Sequence, residues 1–128
     1  MRLICLLLGA ALMVGLACKS TPSGNGSGCK STAASQTIEA GDNLTFTPAS
    51  VTIPRGQKVC WENLGNTSHT VTALITVTKG TTVDTLWNID AQLNPDLVVL
   101  AVFDTTGDFP YHCRFHSGSG MTGVIHVR

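Results

Sequence analysis

Short runs of alternating hydrophobic and polar residues, separated by turn residues, fill most of the chain beyond its first 35 residues. In the run KVCWEN over 58–63, Val59 and Trp61 fall on one face of an extended chain and Cys60 on the other, which is the two-residue period of a β-strand. With Pro, Gly, Asn or Asp between them, such runs predict an all-β sandwich or barrel of about eight strands. The predicted strands cover 37–40, 44–46, 51–53, 58–63, 70–78, 97–103, 109–113 and 124–127.

The N-terminal 17 residues follow a different pattern. Arg2 precedes an almost unbroken apolar run over 3–17, which is short for a bilayer span and typical of the apolar region of a signal peptide. The sequence Gly15-Leu16-Ala17-Cys18 resembles the lipobox of bacterial lipoproteins, although Leu is usual where Gly15 stands. The resemblance implies that Cys18 becomes the lipid-modified first residue of the mature chain, with ordinary signal cleavage nearby as the alternative.

Residues 18–35 are expected to form a flexible tether, because Ser, Gly, Thr and Asn dominate them without periodicity. We therefore predict a signal peptide at 1–17, a tether lipid-anchored at Cys18 over 18–35, and one domain at 36–128. An acyl-anchored chain lies on a membrane surface without spanning it. This organisation predicts a periplasmic or extracellular location, as a membrane-anchored bacterial lipoprotein.

Composition and charge narrow the function classes. The formal net charge is zero, and the chain lacks the basic run that nucleic-acid binding requires. Within the predicted domain no segment has a convincing helical period, and only 87–92 is expected to form one short turn. The acidic side chains that could serve catalysis are scattered over predicted loops and turns, so no enzyme activity is predicted. They are Asp84, Asp90, Asp96, Asp104 and Asp108.

Three side chains with metal-binding chemistry cluster near the C-terminus. Cys113, His116 and Met121 supply a thiolate, an imidazole and a thioether within nine residues. Together with a second histidine, these donors form the ligand set of a blue-copper site. His69, which lies where a predicted loop enters a strand, is the candidate for that histidine. The predicted site is therefore one copper ion held by His69, Cys113, His116 and Met121.

The order of these residues also resembles a known family. Tyr111-x-Cys113-x-x-His116-x4-Met121-x-Gly123 is similar to the C-terminal motif of plastocyanin-like cupredoxins. The resemblance covers nearly all of 36–128. Residues similar to the rest of the family pattern are Phe46, Pro48, Val51, Ile53, Gly56, Val59, Trp61, Asn63, His69, Thr70, Val71, Leu93, Asn94, Pro95, Phe103, Gly107 and Phe109.

The resemblance implies a cupredoxin-like Greek-key fold with a type 1 copper ion that shuttles single electrons between weakly and transiently bound redox partner proteins. A monomer is expected. It also implies that electrons pass through the outer ring edge of His116, with Gly65, Gly118 and Gly120 as candidates for the surrounding contact surface. The chain departs from the family at 73–92, which is longer and more apolar than usual, and at Asp96, where a turn glycine is common.

Cysteine counting adds a disulfide prediction. Of the five cysteines, Cys5 lies in the signal peptide, the lipobox resemblance assigns Cys18 to lipid, and the copper site uses Cys113. Cys29 and Cys60 remain, and an oxidising compartment would pair them. If Cys18 is not lipidated, a Cys18–Cys29 disulfide competes with this pairing.

Two alternatives to electron transfer stay open at the level of sequence. One is a copper-binding module for storage, delivery or sensing without redox turnover, and the other is a disulfide-bonded adhesion sandwich without metal. His112 precedes Cys113, so on a strand it points away from the copper. It is interpreted as a surface residue, with an exit route for the electron as the alternative. His126 is interpreted as a surface residue on the last strand.

Overall fold

The computed structural model describes residues 28–128, except for the side chains at 77–79 and 82–86. The predicted signal peptide, most of the tether and Cys18 lie outside these residues. Within 28–128 no helix is both long enough and apolar enough to cross a membrane. The strands are β1 (Gln36–Gly41), β2 (Thr45–Thr47), β3 (Ser50–Ile53), β4 (Gln57–Glu62), β5 (His69–Lys79), β6 (Thr82–Leu93), β7 (Val98–Phe103), β8 (Gly107–His112) and β9 (Thr122–Val127). Two short 3-10 turns cover Cys29–Ser31 and Ser117–Ser119.

The strands form two sheets that pack as a sandwich, so the predicted all-β fold is confirmed. One sheet has the order β2-β1-β4-β7 and the other the order β3-β9-β8-β5-β6. Both sheets are mixed, because β1 pairs with β4 and β3 with β9 in parallel. Large side chains from both sheets fill the interior, including the fully buried Trp61, Ile38, Leu93 and Ile125.

The strand absent from the sequence-based prediction is β6. The expectation of a short turn at 87–92 is wrong, since these residues pair in register with β5. Trp87, Ile89 and Ala91 are half-buried, whereas the residues between them are exposed. This alternation is that of a strand with one face towards the core. The segment 73–92, which departs from the family pattern, therefore forms most of a long β5–β6 hairpin.

A disulfide bond joins Cys29 to Cys60, as predicted. Cys60 lies on β4 between Val59 and Trp61, and all three side chains are fully buried. The Cys29 amide also donates to a Glu62 side-chain oxygen at 2.9 Å. The segment before β1 is thereby fastened to the outer side of β4. Closing a loop with a sequence separation of 31 stabilises the fold by roughly 3–4 kcal/mol in the chain-entropy account.

Four connections meet at one end of the sandwich. They are the turns that follow β1, β4, β6 and β8, because β1 and β4 run parallel while β5 pairs antiparallel with both β6 and β8. Backbone hydrogen bonds tie two of these connections together: the Asn63 amide donates to Leu97 O at 3.2 Å, and the Asp96 amide to Asn63 O at 2.9 Å. This end carries the predicted metal ligands.

Candidate metal centre

Three of the four predicted ligands converge at this end of the sandwich. His69 is the first residue of β5, Cys113 follows β8, and His116 lies in the next turn. The Cys113 Sγ lies 3.9 Å from His69 Nδ1 and 3.4 Å from His116 Nδ1. The donor atoms of all three side chains lie within 4.8 Å of one another. The fold therefore joins a histidine to a cysteine 44 positions away in the sequence.

The spacing of the donor atoms fits one metal ion. Protein sites hold metal at about 2.0 Å from imidazole nitrogen and about 2.3 Å from thiolate sulfur, taking zinc as the reference. Trigonal or tetrahedral angles between such bonds place nitrogen and sulfur about 3.5–3.7 Å apart. The observed separations of 3.4 and 3.9 Å bracket this range. Cys113 is also the free cysteine of the described residues, so its thiolate is available to a soft metal.

The fourth predicted ligand, Met121, is fully buried and its backbone is bonded to the other two ligands of the loop. The Cys113 amide donates to Met121 O at 2.9 Å, and the Met121 amide donates to His116 O at 3.4 Å. Between them, the His116 amide donates to Cys113 O at 3.2 Å. Residues 113–121 thus form a loop that is closed by backbone hydrogen bonds among the three residues that carry the predicted ligands.

One glycine allows this loop to close. Gly120 has φ +75°, a left-handed conformation that costs a residue with a Cβ about 1–2 kcal/mol. Its amide donates to Ser117 O at 3.1 Å, which ends the 3-10 turn and returns the chain towards Met121. An ordered turn that ends at Gly120 thus brings the chain back to Met121.

Two side chains that are not among the predicted metal ligands hold the loop before His69. Asn63 is fully buried, and its amide group donates to Thr67 O at 2.7 Å and to Leu93 O at 3.0 Å. Its side-chain oxygen accepts the Gly65 amide at 2.9 Å. In the sequence, Asn63 is distinguished only as one residue of the family resemblance.

The second of these side chains is Asp42, in the turn after β1. One of its carboxylate oxygens accepts the amides of Asn66 and Thr67, each at 2.8 Å. These backbone hydrogen bonds lower the pKa of Asp42, because they favour the charged carboxylate. Gly65 packs against the same carboxylate so closely that a Cβ would collide with it. The loop that leads into His69 is therefore held from within by Asn63 and from the turn after β1 by Asp42.

The local environment keeps His69 in the form that binds metal. Burial lowers the pKa of His69, and the nearby His116 lowers it further. Metal coordination requires a neutral imidazole. At neutral pH, His69 therefore has a free nitrogen lone pair available for a metal ion.

The Cys113 sulfur has its own hydrogen-bond donor. The Thr70 amide donates to Cys113 Sγ at 3.3 Å, and the Thr70 hydroxyl oxygen lies 4.0 Å from the same sulfur. The Arg114 amide donates to that hydroxyl oxygen at 2.8 Å. Thr70 is fully buried, so these contacts are shielded from solvent.

The remaining histidines lie outside the donor group. His112, at the end of β8, is partly buried and pairs with Thr72 of β5 and Thr122 of β9. His126 on β9 is bonded to Asp108 at 2.7 Å, with 30% of its side chain exposed. The cluster of two histidines and one cysteine is thus formed by the buried His69 and Cys113 and the partly exposed His116.

A two-sheet sandwich that holds one free cysteine between two histidines at its loop end defines the class of cupredoxins, the small blue-copper proteins. Residues 32–128 match the family described as copper binding proteins, plastocyanin/azurin family. The chain belongs to this family. Copper is the cofactor of the family, and the group formed by His69, Cys113 and His116 is consistent with a type 1 copper site.

Individual relatives agree with this assignment. The chain is 36% identical over 86 residues to a chloroplastic plastocyanin of Tetradesmus obliquus and to a plastocyanin of Scenedesmus fuscus. Each match covers 66% of this chain, with 59% of the first relative's length and 88% of the second's. The chain thus spans less than two thirds of the Tetradesmus obliquus protein.

Solved structures show the same fold at lower identity. A purple cupredoxin from Nitrosopumilus maritimus aligns with a TM-score of 0.56 at 24% identity, over 73% of this chain and 99% of that one. The oxidised plastocyanin of Dryopteris crassirhizoma aligns with a TM-score of 0.58 at 22% identity, over 72% of this chain and 99% of that one.

Proposed function

We propose that this protein is a one-electron carrier with a single type 1 copper ion bound by His69, Cys113, His116 and Met121. The observation that supports the proposal most directly is the donor cluster itself. Two imidazoles and a thiolate lie within 4.8 Å of one another, with His69 and Cys113 fully buried. The buried thioether of Met121, on the same hydrogen-bonded loop, would supply the weak fourth donor of such a site.

Copper bound here would accept and release one electron. The contribution of the chain is to hold the donors still while the charge of the ion changes. His69 and Cys113 lie at the ends of paired strands, and backbone hydrogen bonds close the loop over 113–121. A donor set that moves little keeps the reorganisation energy of electron transfer small. We find no arrangement at this site for acid–base or nucleophilic catalysis, and we propose a carrier rather than an enzyme.

The surface near His116 suits contact with a redox partner. His116 is partly exposed, unlike His69, so its ring is the ligand nearest to solvent. Phe115 is 50% exposed, and the centroid of its ring lies 6.4 Å from that of the His116 ring. Gly118 and Gly120 are exposed and carry no side chain. This surface would support small, weak and transient interfaces with redox proteins, with the carrier itself a monomer.

We further propose that the protein works outside the cytoplasm, attached to a membrane by lipid at Cys18. The Cys29–Cys60 disulfide supports an oxidising compartment, and the apolar run before Cys18 supports export. Cell fractionation of the full chain and of Cys18→Ala tests the anchor. We expect the unaltered chain in the membrane fraction and the variant in the soluble fraction. Equal distribution of the two proteins would contradict lipid anchoring.

Copper titration followed by voltammetry tests the main proposal. We expect one equivalent of copper(II) to produce an intense visible band and one reversible one-electron wave. Stoichiometric binding with irreversible cycling would instead indicate a storage or delivery module. Absence of stoichiometric binding would leave the metal-free adhesion sandwich as the remaining alternative. Either of these two results would overturn the proposed electron-carrier function.

A further inference from the structure

A chain of polar side chains connects the base of the long β5–β6 hairpin to the sulfur of Cys113. The hydroxyl oxygens of Thr70 and Thr72 lie 2.9 Å apart, and the Thr72 hydroxyl oxygen lies 3.0 Å from Asp90 Oδ1. The other carboxylate oxygen of Asp90 accepts Arg114 Nη1 at 2.8 Å. The chain thus runs from an ion pair at the surface to a residue that contacts the Cys113 sulfur.

Strand geometry explains why these groups meet. Thr70 and Thr72 are two positions apart on β5, so their side chains emerge on the same face. Asp90 of β6 is the register partner of Thr72, which places its side chain beside Thr72 on that face. Asp90 lies within 73–92, the segment that departs from the family pattern.

The direction of the hydroxyl protons follows from the chemistry of Asp90. A carboxylate in an ion pair with Arg114 only accepts hydrogen bonds, and each threonine hydroxyl has a single proton to donate. The Thr72 proton therefore goes to Asp90 Oδ1, which leaves the Thr72 oxygen to accept from Thr70. The Thr70 proton then points towards Thr72, at 2.9 Å, and away from Cys113 Sγ, at 4.0 Å.

We infer that Asp90 and Thr72 are positioning residues that hold the Thr70 hydroxyl proton away from the Cys113 sulfur and so tune the reduction potential of the copper site. With this orientation, the thiolate receives one hydrogen bond, from the Thr70 amide at 3.3 Å. A second donor would withdraw electron density from the sulfur and favour copper(I), because hydrogen bonds to ligand sulfur raise a site's potential. This inference rests on the proposed copper ligation by Cys113.

Asp90, Thr72 and Thr70 form a hydrogen-bond relay to Cys113. The Thr72→Val variant separates the effect of this relay on the potential from the effect of charge. Valine has nearly the shape of threonine and is favoured in strands, and the substitution removes the hydroxyl without altering any charge. The Thr70 proton then loses its acceptor and turns to Cys113 Sγ. We expect a positive shift of the midpoint potential that corresponds to about a tenfold change in the ratio of reduced to oxidised copper, or 59 mV for one electron. Thr72→Ser keeps the hydroxyl and should retain the unaltered potential.

A second substitution tests the role of the carboxylate. Asp90→Ala removes a negative charge as well as the acceptor, so its effect on the potential combines both. In the Thr72→Val background the relay is already cut, and only the charge effect remains. We therefore expect Asp90→Ala to shift the potential more in the unaltered chain than in the Thr72→Val chain. Equal shifts in the two backgrounds would overturn the assigned role of Asp90.

Proton NMR of the metal-free protein reports on the relay without copper. In the unaltered protein we expect a nuclear Overhauser effect between the Thr70 hydroxyl proton and the side chain of Thr72. In the Thr72→Val variant we expect the effect between the Thr70 hydroxyl proton and the β-protons of Cys113. A Thr70 proton already directed at Cys113 in the unaltered protein would overturn the inference, as would an unchanged potential in Thr72→Val. Failure of the unaltered protein to form a blue centre would instead overturn the proposed function, whatever the NMR result.

Discussion

Replacing Cys113 with serine is expected to abolish the intense visible absorption that the protein should develop with copper(II). That absorption is a charge transfer from a thiolate to copper, and a hydroxyl group cannot provide it. Cys113 is fully buried, and its sulfur is the atom that approaches both histidine nitrogens, at 3.9 and 3.4 Å. We therefore expect the loss of nearly all visible intensity and of most copper affinity, measured by absorption titration and by metal analysis of dialysed protein.

The fold should survive this change. Serine is slightly smaller than cysteine, and its oxygen can still accept the Thr70 amide that now donates to Cys113 Sγ at 3.3 Å. Thermal unfolding of the metal-free variant should thus stay close to that of the unaltered protein. His126→Gln is a matched control, because His126 is partly exposed and its side chain contacts Asp108. This variant should leave the colour unchanged. A serine variant that remained blue would exclude Cys113 as the copper ligand.

The local part of the site is predictable from the sequence, because it depends on short spacings. Cys113, His116 and Met121 lie in one loop, and the choice of their residue types already indicates soft-metal chemistry. His69 is a different case, since only a fold can bring it to Cys113 across 44 positions. The resemblance to plastocyanin-like cupredoxins supplied that fold, and the structure places the two side chains together.

The supporting contacts are harder to predict, because they join parts of the chain with no local pattern in common. Asp42 accepts hydrogen bonds from backbone amides 24 and 25 positions away, and an exposed aspartate in a turn is ordinary in any sequence.

The strand β6 illustrates a different difficulty. The alternation of apolar and polar residues at 87–92 is visible in the sequence. The segment 73–92 that contains it is longer and more apolar than the family pattern, so the resemblance did not predict its pairing with β5. The Cys29–Cys60 disulfide was predictable through the lipobox resemblance, which assigns Cys18 to lipid and leaves these two cysteines to pair.

Replacing Asn63 with alanine is expected to be the most destabilising change at the metal end of the fold. The substitution removes three hydrogen bonds, to Thr67 O, to Leu93 O and from the Gly65 amide. Asn63 is fully buried, so its former partners in that interior cannot all turn to water. Each unsatisfied buried group costs about 1–3 kcal/mol, and we expect a loss of about 3–5 kcal/mol in the free energy of unfolding. Urea unfolding of the metal-free protein measures it.

The same variant should also weaken copper binding, because the loop that Asn63 holds leads directly into His69. Without its hydrogen bonds, binding must order this loop before His69 can face Cys113, and that ordering opposes binding. Asn43→Ala is the matched control. Asn43 is exposed and only accepts the Thr45 hydroxyl, at 2.8 Å, so its loss should cost less than about 1 kcal/mol. Equal stabilities for the two variants would show that the Asn63 amide does not hold the histidine loop in place.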